Sequence, residues 1–199
     1  MSDSTRPTLE QHGLSPAEYT EHTRFPRTRV SDGLDRIVST ISRGSSWLWL
    51  VVVGIILYTV IGRYAFGSGS VRLEELTWHL SGLAWLIGLS STLVSDHHVR
   101  VDVLHERMSL RAQAWIELLG LLVLLLPFLV IATDLTFAYF WSSFQQGETS
   151  SAPAGLPARW AMKFGMMASF VLLLMAAASR LLKCTALLFG YPHPIQDRR

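Results

Sequence analysis

Apolar residues along this chain come in long blocks and not at the spacing of a soluble core. WLWLVVVGIILYTVIG (47–62), LLGLLVLLLPFLVIAT (118–133) and FGMMASFVLLLMAAAS (164–179) hold no charged residue. A fourth block, LTWHLSGLAWLIGLSSTLVS (76–95), is softer, with one histidine and several serines and glycines. With their flanks, the blocks approach the ~20 residues that carry a helix across a ~30 Å hydrocarbon core. A helix in a soluble bundle keeps a polar face, and three of these blocks have none. The pattern predicts an all-α integral membrane protein with four transmembrane helices, at about 46–66, 76–95, 113–137 and 160–182. A cytoplasmic-side amphipathic connector joins the second and third.

The remainder divides around these spans. Residues 1–33, with Pro7, Pro16 and Pro26 among scattered polar residues, read as a flexible cytoplasmic arm that cannot bury a core. The membrane domain runs over 34–183, and 184–199 form a cytoplasmic tail. Leu34, Ile37, Val38 and Ile41 recur at helical spacing, as expected for a short helix on the inner surface before the first span. Pro127 is the one proline inside a block and predicts a local kink.

Composition agrees with the pattern. Half of the 199 residues are hydrophobic and 16% are charged, against roughly 25% charged in ordinary soluble domains. The net charge of +2 comes from basic residues dispersed around the blocks, which gives no reason to expect nucleic acid as a partner. Cys184 is the lone cysteine, so no internal disulfide is expected. The arm, the connector and the tail are the arginine-rich segments, and basic loops stay inside. Both termini are therefore expected in the cytoplasm.

Chemistry at membrane depth is sparse. Arg63, Glu74, Glu75, Asp134 and Lys163 fall near the outer ends of the spans, and Glu117 near an inner end. His79 lies distinctly inside, where a hydrogen bond to a neighbouring helix is the plainer reading and a proton relay the sharper one. The connector SDHHVRVDVLHERMS (95–109) places His98, Asp102 and His105 at i, i+4 and i+7 of a helix, which could offer three ligands to a metal. The same stretch has Val101, Leu104 and Met108 as an apolar stripe and Arg100, Arg107 and Arg111 for lipid phosphates. Lacking any supporting carboxylate pair or phosphate loop, it reads as a membrane-surface elbow and not a metal site; no cofactor is expected. In FQQGETSSAPAGLPARWAMK (144–163), Gly147, Pro153, Gly155 and Pro157 give a turn-rich connection, and Trp160 can anchor at the interface. Glu148 and Arg159 there are candidates for partner contacts. Ala84, Gly88 and Thr92, and likewise Gly165 and Ser169, form small-residue stripes that let helices approach closely.

Taken in order, Glu74–Glu75 entering the second span, the His98-Val-Arg100-Val-Asp102 elbow, and Gly147-Glu148 followed by Gly-Leu-Pro and Trp160 resemble the small membrane subunit of tripartite ATP-independent periplasmic (TRAP) transporters. The resemblance runs from about Leu34 to Lys183. It implies a non-catalytic scaffold, not an enzyme, in the bacterial inner membrane. Its partners would be a large membrane subunit that carries the substrate and sodium sites, a periplasmic substrate-binding protein, and the lipid bilayer. It implies sodium-coupled import of an organic acid, and the wording Trp78-His79-Leu and Gly155-Leu-Pro-Ala-Arg-Trp160 points to keto acids or related carboxylates. Glu74, Glu75, Trp78, His79, His98, Arg100, Asp102, Gly147, Glu148, Gly155, Trp160 and Lys163 are then the partner-interface or structural candidates. The competing readings are a membrane-embedded metalloenzyme using His98, Asp102 and His105, and a signalling or assembly protein whose arm binds a cytosolic partner.

Overall fold

The computed structural model describes residues 25–95 and 108–193. Most of the connector, with His98, Arg100, Asp102 and His105, lies outside the described residues. Among the described residues the fold is all helical, without a strand: α1 Arg29–Ser45, α2 Trp47–Phe66, α3 Val71–Val94, α4 Leu110–Leu119, a π-helical segment Gly120–Leu125, α5 Leu126–Gln145 and α6 Trp160–Phe189.

Local chemistry explains where the helices begin, end and change pitch. A reciprocal cap opens α1: the Thr28 hydroxyl accepts from the Ser31 N–H at 3.1 Å, and the Ser31 hydroxyl accepts from the Thr28 N–H at 3.0 Å. At the other end of the first long helix, Gly67 adopts φ 62° and returns its N–H to the Gly62 carbonyl, which closes α2. The π-helical segment ends at Leu125, two residues before Pro127. A proline ring crowds the carbonyl one turn back and supplies no N–H, and widening the helix by one residue per turn relieves both. Where the sequence leads one to expect a kink at Pro127, the structure shows a change of pitch just before it.

Three helical stretches are long and apolar enough to cross a membrane: Arg29–Phe66 over 38 residues, Leu110–Gln145 over 36 and Trp160–Phe189 over 30. At ~1.5 Å per residue they reach about 57, 54 and 45 Å, which exceeds a ~30 Å core, so each projects beyond it. With 24 residues α3 is long enough as well. Its acidic pair, histidine and serines make it less apolar than the other three.

The bundle is organised around α6, which packs against α5, α3, α1 and α4. One core cluster joins Val38 of α1 to Leu172 and Ala176 of α6, with Ile87, Leu93 and Val94 of α3 beside them. A second joins Ala114, Leu118 and Leu121 to Cys184, covered by Phe25. Between these clusters lies a layer of charged pairs. Lys183 Nζ donates to Asp35 Oδ2 at 2.5 Å, and the Ser179 hydroxyl donates to Asp35 Oδ1 at 2.5 Å. Arg180 grips Glu117 through Nε and, at 3.1 Å, Nη2, and its guanidinium lies 4.5 Å from the centre of the Phe25 ring. We call this end, where α1 starts and α6 finishes, the terminal end. The end carrying the α2–α3 and α5–α6 connections is the distal end.

The helix α1 has three distinct sides. Ser31, Val38 and Ser42 are buried against the bundle, Val30, Ile37 and Ile41 are exposed apolar residues, and Arg29, Arg36 and Arg43 recur every seventh residue on an exposed row. At ~3.6 residues per turn the three rows lie about a third of a turn apart.

Candidate partner-binding site

The distal end gathers the polar residues that the sequence singles out. Glu75 opens from the first turns of α3 toward the connection between α5 and α6. Its Oε2 accepts the Leu156 N–H at 2.8 Å, and its Oε1 accepts the Ser150 hydroxyl. Three residues earlier, Arg72 Nε donates to the Ala154 carbonyl at 3.0 Å. Two side chains on one helix turn thus hold a loop some eighty residues away in sequence.

The loop is shaped to receive them. Ser150 N–H donates to the Leu156 carbonyl and Arg159 N–H to the Glu148 carbonyl, both at 3.0 Å, which folds 148–159 back on itself. Gly147 takes φ 56° as α5 ends. A Cβ on Gly155 would lie 2.5 Å from Ser150 Cβ and 3.0 Å from Glu75 Oε2, so this position accepts no side chain while the Glu75 clamp is closed. Ala154 and Ala158 stand at φ 57° and 54°. An L-residue pays roughly 1–2 kcal/mol for that left-handed conformation, and the surrounding hydrogen bonds hold it there.

Below the loop a second group ties α5 to α6. Lys163 is 7% exposed; its ammonium donates to Glu148 Oε2 and stands 3.6 Å above the centre of the Tyr139 ring. Arg159 Nη1 approaches the other Glu148 oxygen at 3.8 Å. The hydrogen bond from the Lys163 ammonium holds the Glu148 carboxyl below the usual carboxylate range, so it is ionised at neutral pH. Trp160 packs edge-on against Phe144, ring centres 5.3 Å apart.

Two open cavities flank Trp78, which is 79% exposed. One, of about 410 Å³, is lined by Trp78, His79, Leu83, Tyr139 and Lys163 among others. The other, of about 270 Å³, holds the Arg63–Glu74 ion pair. His79 Nδ1 donates to the Glu75 carbonyl of its own helix at 2.6 Å, since a carbonyl can only accept. Among the described residues no bond from this histidine to a neighbouring helix is found; its Nδ1 shares the Glu75 carbonyl within its own helix.

Nine candidate residues thus meet at one end: Glu74, Glu75, Trp78, His79, Gly147, Glu148, Gly155, Trp160 and Lys163. The elbow candidates, His98, Arg100 and Asp102, lie outside the described residues, as does His105. Among the described residues no group of three or more His, Cys, Asp or Glu side chains could hold a metal. Sequence reasoning missed Ser150, Arg72 and Tyr139, which carry no pattern of their own. It also missed the Asp35–Lys183 pair at the terminal end, whose members are 148 positions apart.

A family model described as "Tripartite ATP-independent periplasmic transporters, DctQ component" matches residues 52–186, a stretch that includes every residue of this distal cluster. No curated protein and no solved structure matches the chain.

Proposed function

Because the chain belongs to the DctQ-component family of tripartite ATP-independent periplasmic transporters, and is thus a multi-pass membrane component of such a transporter, we propose that it is the non-catalytic scaffold of one. In this reading a large membrane subunit carries the substrate and sodium sites, a periplasmic binding protein delivers an organic acid of the carboxylic or keto class, and this chain braces the large subunit. Helices α2, α3, α4–α5 and α6 are its four spans in the inner membrane. Both termini are cytoplasmic, and α1 lies where the bundle leaves the inner leaflet, with its arginine row toward lipid phosphates. The distal end faces the periplasm, and its clamped loop and Trp78 rim are what partners meet.

The observation that carries this reading is how the charged side chains are used. Glu75, Glu148 and Lys163 at one end, and Asp35, Glu117, Arg180 and Lys183 at the other, are engaged with one another or with the chain's own backbone. Among the described residues this leaves no file of titratable groups from end to end, and such files mark ion and substrate paths through membranes. A chain of this kind is built to hold its shape. Purified alone into liposomes under a sodium gradient, it should accumulate no organic acid, while co-expression with the large subunit should give a complex that survives size exclusion. Uptake by the isolated chain would overturn the reading.

A further inference from the structure

One charged group stands apart from both polar layers. Asp134 is exposed on α5, and no hydrogen bond or ion pair reaches its carboxylate from any described residue. The inward line of α5 is Leu129, Thr136 and Ser143. Two residues from Thr136, Asp134 sits about 200° around the helix and points away from the bundle. Its neighbours on that outer face, Val130, Ile131, Phe137 and Trp141, are each exposed by 47–60%.

Its depth makes the position informative. The sixteen residues before it, 118–133, hold no charge and span about 24 Å. On its other side come the aromatics that mark an interface: Phe137 stacked on Trp141 with centres 6.3 Å apart, then Phe144 against Trp160. Asp134 is about 10 Å deeper along the helix than Trp141. A carboxylate on an apolar, bundle-averted face at that level has no partner among the described residues of its own chain, and such residues are found paired.

We infer that the bundle-averted face of α5, centred on Asp134, is where the large membrane subunit seats, through a helix that brings a lysine or arginine to this carboxylate. The inference rests on the scaffold reading and adds to it the helix and the charge that make the contact. A cation from a second protein chain satisfies the carboxylate, and the flanking Ile131 and Phe137 supply the apolar surface on which a helix packs. The exposed face of α2 is as apolar but carries no charged group over 47–62, which suits it to lipid.

The test uses the full chain co-expressed with the large subunit in membranes. Asp134→Asn removes the charge at constant shape and should weaken co-purification of the large subunit roughly 3- to 30-fold, the range of polar helix–helix contacts in bilayers. The variant's own melting temperature should not change, since no internal bond is lost. Cysteines placed by Ile131→Cys or Phe137→Cys should cross-link to the large subunit, whereas Leu57→Cys on α2 should not. Charge reversal, Asp134→Lys, should abolish the complex, and an acidic replacement of the matching cation on the large subunit should restore it. Wild-type recovery with Asp134→Asn, or cross-links from α2 alone, would overturn the assignment and leave the scaffold reading intact. An Asp134 effect that follows the ethanolamine lipid content of the membrane, and not the large subunit, would also overturn it. If the wild-type chain itself fails to co-purify, the scaffold reading falls and takes this inference with it.

Discussion

Replacing Lys183 with methionine removes one charge from the terminal layer and keeps most of the volume. The Lys183 side chain is 11% exposed and that of Asp35 20%, so the pair is nearly but not wholly shielded from water. Breaking a fully buried pair costs about 3–5 kcal/mol, because the remaining charge is left without a counter-ion. Asp35 keeps the Ser179 hydroxyl at 2.5 Å and some access to water, which brings the expectation for Lys183→Met to about 2–3 kcal/mol. For a chain of this length that is roughly 5–10 °C in melting temperature. The double variant Asp35→Leu/Lys183→Met discards both desolvated charges and should lie within about 1 kcal/mol of wild type. The assay is a thermal melt of the purified chain in detergent, followed by tryptophan fluorescence and by the fraction surviving size exclusion. The prediction is therefore a double variant more stable than either single one, with a coupling of at least about 2 kcal/mol. Additive losses would refute the claim that these groups interact across α1 and α6.

At the distal end, Gly155→Ala should cost about 1–3 kcal/mol, the usual penalty of overpacking. It should raise hydrogen exchange over residues 148–159, whereas Gly88→Ala, where nothing lies within 4 Å, should be neutral by the same measurement. In the bundle, Gly165→Ala meets a Leu83 methyl at 3.1 Å, the movable end of a side chain; a melt should show less than about 1 kcal/mol lost, and Gly165→Val distinctly more. Because the Glu148 carboxyl is held low by Lys163, the stabilisation it contributes is present above the ordinary glutamate pKa of about 4.3 and fades as pH falls through the lower folded value. Protease cleavage within 147–159 should accordingly be flat from pH 7 to about 5 and rise only in stronger acid, and a rise near pH 6 would contradict the assignment.

The helices were legible in the sequence because a bilayer demands uninterrupted apolar length, and three blocks state that without ambiguity. The acidic pair at the mouth of α3 stood out as well, since charges are costly there. What each acid does was not. Glu74 turns to Arg63 eleven residues back, while Glu75 reaches the backbone of Leu156, eighty-one residues on, and nothing local distinguishes the two. The small-residue stripes show the same limit: Gly165 is pressed by Leu83, yet Gly88 faces open space, because spacing defines a face and not what covers it. Asp35 sits in a helix rich in arginine and passes for surface charge until α6 is placed beside it.

The position of α6 in the chain has a consequence for how the protein is made. Among the described helices it is the last to leave the ribosome, and four others lean on it. The α2–α3 hairpin can close early through Trp49 against Trp85 and Arg63 with Glu74. Asp35 has to wait until Lys183 is synthesised 148 residues later, roughly 7–30 s at ordinary elongation rates. For that interval α1 has α3 to lean on through Val38, but its Asp35 lacks the counter-ion that α6 brings. Chains that stop short of residue 183 leave Asp35 without its lysine and the layer incomplete.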